Sequence, residues 1–119
     1  MATQPNVPQT EIIARLNDRA RLGLDRTARV VFTRSCLAAF GDPDGIERVL
    51  IQAALVKAMR TSTFSKDSPE RDLGIMDVRG TVVWVKIDCF DRNLEFGSDD
   101  PADPSVTTRV LTVMLPSDW

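Results

Sequence analysis

Four carboxylates, Glu70, Asp72, Asp88 and Asp91, are the residues whose type and spacing come nearest to chemistry. They lie on or beside two consecutive β-rich runs. Acids gathered at a hairpin can hold a magnesium ion and activate a water for phosphodiester hydrolysis. Glu70, Asp72 and Asp88 are the candidate metal ligands of such a hydrolase or nuclease. The pattern then falls short: a hairpin nuclease wants an acid two residues before its lysine, and Lys86 is preceded there by Trp84. Nucleophilic catalysis fares no better. The chain has two cysteines, Cys36 and Cys89, and no histidine, so a thiol or hydroxyl lacks its usual base. One chain with that inventory cannot build a four-ligand zinc site from Cys and His. Its six glycines form no phosphate-binding loop. No catalytic residue and no cofactor is expected, and enzymatic activity is the less favoured reading.

Binding without turnover has more to stand on. Between Asp88 and Asp103 six acids face one base, Arg92, with Phe90, Leu94 and Phe96 interleaved and Pro101 and Pro104 stiffening the segment. Asp91, Glu95, Phe96, Asp99 and Asp100 are the candidate partner-binding residues. Acids with an aromatic among them suit a basic protein surface, such as the nucleic-acid groove of a host protein. A plainer role competes: Asp99 and Asp103 could simply hold turns and a helix start.

The formal net charge of −2 disfavours direct binding to nucleic acid or anionic lipid. The charge is uneven. Residues 1–65 carry nine basic and six acidic side chains, residues 66–119 six and eleven. Arg15, Arg19, Arg26 and Arg29 would serve a small DNA-binding regulator or antitoxin, but arginines on an amphipathic helix more often form its wet face. No leader peptide and no membrane-length apolar run is visible, so a cytoplasmic protein is expected.

The elements that must position these residues read as follows. Residues 1–8 form a flexible tail, and 9–119 one domain. Ile12, Ile13, Leu16 and Ala20 recur at helical spacing, predicting a helix over about 10–22 capped by Thr10 and stopped at Gly23. Ala28–Thr33 is a strand. Asp44 caps a helix over about 44–60 with so broad an apolar face that it should be the most buried one. Two β-rich runs, 71–78 and 81–90, flank Arg79-Gly80 and predict a hairpin. Val83, Val85, Ile87 and Cys89 share its inward face. Asp103-Pro104 signals a third helix over 104–115, although its β-branched content favours a strand. The fold class is α+β: a small antiparallel sheet, made of one N-terminal strand and the hairpin, packed on two or three helices.

Several strings resemble the DUF3768 family of small bacterial proteins. They are Pro69–Gly74 (PERDLG), Val85–Asp91 (VKIDCFD), Gly97–Pro104 (GSDDPADP) and Thr108–Leu115 (TRVLTVML), with IARLNDRAR and RVVFTR earlier in the chain. Where the family carries a histidine in the first string, this chain has Arg71, and its tryptophan before Lys-Ile-Asp is set back to Trp84. The resemblance implies a fold and a genetic setting, since such proteins sit largely on plasmids and other mobile elements. It supplies no activity. Together these readings favour an accessory protein of a mobile element that binds another protein, of anti-CRISPR or antirestriction type.

Overall fold

The computed structural model describes residues 7–119. Most of the tail expected over 1–8 lies outside the described residues. The first helix, α1 (Gln9–Arg21), follows Pro8 rather than Thr10, and no side chain caps it. Pro8 carries no N–H to orphan, and its own carbonyl accepts the amides of Glu11 and Ile12. The helix closes on Gly23 at φ +77°, with Leu24 N–H donating to Arg19 O and Gly23 N–H to Ala20 O. That bond pair needs a left-handed residue, which glycine supplies without strain.

After β1 (Arg29–Phe32), Thr33 accepts the Cys36 amide and starts the short helix α2 (Arg34–Ala38). The long helix α3 (Arg48–Met59) begins later than the sequence suggests. Asp44 does not cap it, because both its carboxylate oxygens are taken by the Arg34 guanidinium. Nor is α3 the most buried helix. Its inward stripe is Ile51, Leu55 and Met59, while Val49 and Leu50 face outward, as does Ile46 just before the helix. The apolar residues of α3 span nearly its whole circumference, and a single sheet face can cover only one side.

The strands β2 (Thr63–Phe64), β3 (Leu73–Val78), β4 (Thr81–Phe90) and β5 (Thr108–Met114) join β1 in one sheet of order β1-β5-β4-β3-β2. The hairpin between β3 and β4 turns at Arg79 (φ +53°) and Gly80 (φ +85°). Two positive φ values are the signature of a type I′ turn, which matches strand twist. The α+β class stands, with helices on one face of a small sheet.

Two expectations are corrected. The segment 104–115 is no helix: Asp103 turns its carboxylate onto the amide and hydroxyl of Ser105, and 108–114 is a strand. Its β-branched residues fit a strand paired on both sides, with Arg109, Leu111 and Val113 on one face and Val110, Thr112 and Met114 on the other. The sheet is also mixed, because β1 lies parallel to β5 while the other pairs are antiparallel. Between sheet and helices sit Val83, Val85, Ile87, Leu111 and Val113 with Ala20, Leu37, Ile51, Leu55 and Met59. Of the face expected for β4, only Cys89 is half-exposed.

Candidate functional site

The acidic connection between β4 and β5 is built largely from its own acids. Phe90 bridges to Gly97, Asp91 N–H donates to Phe96 O at 2.8 Å, and Asp91 Oδ1 accepts the Glu95 amide at 3.1 Å. Leu94 turns the chain at φ +60°. In the second half Asp100 Oδ1 accepts the Ala102 amide, and Asp103 Oδ1 the Ser105 amide. Hydrogen bonds from the Ser105 hydroxyl and amide hold the Asp103 carboxyl below its usual range. Arg92 Nε donates to Ser105 O at 3.0 Å and ties the halves together. The five candidate binding residues therefore divide. Asp91 and Asp100 each spend an oxygen on a turn, whereas Glu95, Phe96 and Asp99 face solvent, Phe96 at 71% exposure.

The other acids are scattered. Glu70 meets α1 only through its backbone oxygen, which accepts Asn17 Nδ2 at 2.9 Å. Asp72 Oδ1 accepts the Ser68 hydroxyl at 2.9 Å, and Asp88 lies 3.5 Å from Lys86 Nζ on the outer sheet face. Among the described residues no three His, Cys, Asp or Glu side chains stand close enough to hold a metal ion. Burial pushes both thiols up, Cys36 to about 11 with help from the Asp118 carboxylate. For Cys89 burial outweighs the opposing Arg109 charge, and Glu70, Asp88 and Asp72 add to the rise. Neither is a thiolate at neutral pH.

A polar network under α1 escaped the sequence reading. Asn17 lies on the polar side of the helical pattern by residue type, yet it is buried, with Arg21 and Arg109. Its position between Ile13 and Ala20, at helical spacing, was the available signal. Arg109 Nε donates to Asn17 Oδ1 at 2.7 Å and Arg109 Nη2 to Pro101 O at 2.6 Å. Asp18 receives a two-pronged hydrogen bond from Arg71 and another from Arg21, whose Nη1 also reaches Met59 O at 3.0 Å. Burial pushes the Asp18 carboxyl up, but the bonds and charges of Arg71 and Arg21 outweigh it and leave it low. Arg71 takes this role at φ +53°.

The outer sheet face carries Val31, Val82, Trp84 and Ile75. The chain's last residue folds onto it: Trp119 meets Trp84 edge-on at 6.0 Å and lies under Lys86 Nζ at 5.1 Å. Asp118 seats that end by accepting from the Thr33 and Ser35 hydroxyls and the Leu115 amide. By contrast Arg15, Arg19, Arg26 and Arg29 are all exposed, as a solvated face requires.

A family model described as "Protein of unknown function (DUF3768)" matches residues 42–118, more than half of the chain. No curated protein and no solved structure matches it.

Proposed function

The chain belongs to the DUF3768 family, and we propose that it works by protein–protein contact, as a non-catalytic accessory protein of a mobile genetic element in the cytoplasm. Its acidic connection occupies the nucleic-acid groove of a basic host protein, in the manner of an anti-CRISPR or antirestriction inhibitor. One observation carries the reading: a loop braced by Asp91, Asp100 and Asp103 presents Glu95, Phe96 and Asp99 outward. A braced loop loses little freedom on binding, so its contacts are not spent on ordering it. Among the described residues no helix is long and apolar enough to cross a membrane.

The test is capture from host lysate by immobilised protein, against a Glu95→Gln, Phe96→Ser, Asp99→Asn variant. A basic nucleic-acid-binding protein should be retained by the parent chain, displaced by heparin and lost with the variant. An unchanged set of captured proteins would sink the reading. A second reading, a small DNA-binding regulator, draws on the exposed Arg15, Arg19, Arg26 and Arg29. It requires retention on DNA at low salt that falls steeply as salt rises.

A further inference from the structure

Among the described residues, one side of the sheet ends without a neighbour. Strand β1 is at its edge, paired there with β5 alone. Thr33 N–H donates inward to Val113 O. Backbone groups point alternately left and right along a strand, so Val31 also faces β5 while Val30 and Phe32 direct theirs outward. Two N–H donors and two C=O acceptors stand in a row there, a template for another strand.

The edge is walled by α3. A groove of about 340 Å³ runs between them, lined by Val30, Val31, Phe32, Leu37, Arg48 and Gln52. Val49, which follows Arg48 on α3, is 71% exposed. Arg48 is the one charged side chain in the lining, and the exposed Arg29 and Arg34 stand at the two ends of β1. The Arg34 charge is matched by Asp44, whose carboxylate also feels the more distant Arg48; Arg29 and Arg48 enter no ion pair among the described residues. The remaining positive charges, Arg29 and Arg48, disfavour a second copy of the edge and attract acid.

We infer that β1 and α3 form a docking groove for an extended acidic peptide of another protein, which adds as a sixth strand beside β1. Its backbone pairs with Val30 and Phe32. On the helix-facing side, one apolar side chain enters beside Leu37 and Val49, and an acid two residues away meets Arg48, since alternate residues share a face. This surface is separate from the acidic connection and does not depend on its function.

The test uses fluorescent eight-residue peptides in which serine alternates with valine and aspartate, read by anisotropy with the whole protein. The aspartate peptide should bind at least about tenfold tighter than its lysine counterpart, a difference of ~1.4 kcal/mol. Arg48→Glu, its fold checked by circular dichroism, should reverse that preference, and methylating alternate peptide amides should abolish binding. Equal binding of the two peptides, binding insensitive to amide methylation, or no binding at millimolar concentration would each overturn the assignment. So would a dimer of the peptide-free protein in sedimentation that Arg48→Glu leaves intact and the peptide dissolves, which would give the edge to a second copy.

Discussion

Asn17 illustrates how much one side chain can hold. Its amide oxygen is the acceptor for Arg109 Nε in β5 and its nitrogen the donor to Glu70 O in the turn before β3. Asn17→Ala leaves each of those groups without a partner, at about 1–3 kcal/mol apiece. Urea unfolding should show a loss of that order, with secondary structure retained in the absence of urea. Asp18 gives the pH counterpart. Its carboxyl is lower in the folded than in the unfolded chain, so the stabilisation it brings is complete above the unfolded value of about 3.9 and fades as pH falls through the folded one. Asp18→Asn should therefore cost stability at pH 6, and the gap from the parent chain should narrow below about pH 4. A gap constant from pH 6 to pH 3 would exclude the ion pair with Arg71 and Arg21 as its source.

Helix α3 supplies the contrast between two leucines on one element. Leu55 is fully buried under the sheet and Leu50 is 72% exposed. Leu55→Ala should cost about 2–5 kcal/mol, while Leu50→Ala should stay within roughly 0.5 kcal/mol on thermal unfolding. Periodicity alone could not tell them apart, because apolar residues ring the helix. The hairpin was legible: alternation and a two-residue turn ending in Gly80 suffice to fix its register. The strand β5 was not, since Asp103-Pro104 imitates a helix start and only its two strand neighbours, supplied by distant sequence, decide the outcome. The acidic character of the β4–β5 connection was legible by composition. Which acids face outward was hidden, because the choice lies in backbone turns within the loop. Asp103→Ala should loosen that loop through the lost Ser105 bonds, and Asp99→Asn should not. Amide hydrogen exchange of residues 98–107 would report the difference.

At the scale of the molecule, four of the strings that carry the family resemblance come together in space. Asn17 and Asp18 from LNDRAR, the Glu70 carbonyl and Arg71 from PERDLG, the Pro101 carbonyl from GSDDPADP and Arg109 from TRVLTVML form one network under α1. Its arginines find carbonyl, amide and carboxylate oxygens of the chain itself, so these strings act as mortar between layers. The two surfaces proposed for partner binding, the outward acids of the β4–β5 connection and the open edge beside α3, lie outside that network. A chain cut after Val106 loses β5 and with it the one partner of β1 among the described residues. It should show no cooperative unfolding transition, even though the hairpin of β3 and β4 remains whole.

The position of β5 bears on how the protein is made. Every other strand leaves the ribosome before it, yet β5 lies between β1 and β4 and joins the two parts of the sheet. Until Thr108–Met114 has been made and released, β1 and β4 each lack the neighbour that β5 supplies, so the sheet can close only at the end of that interval.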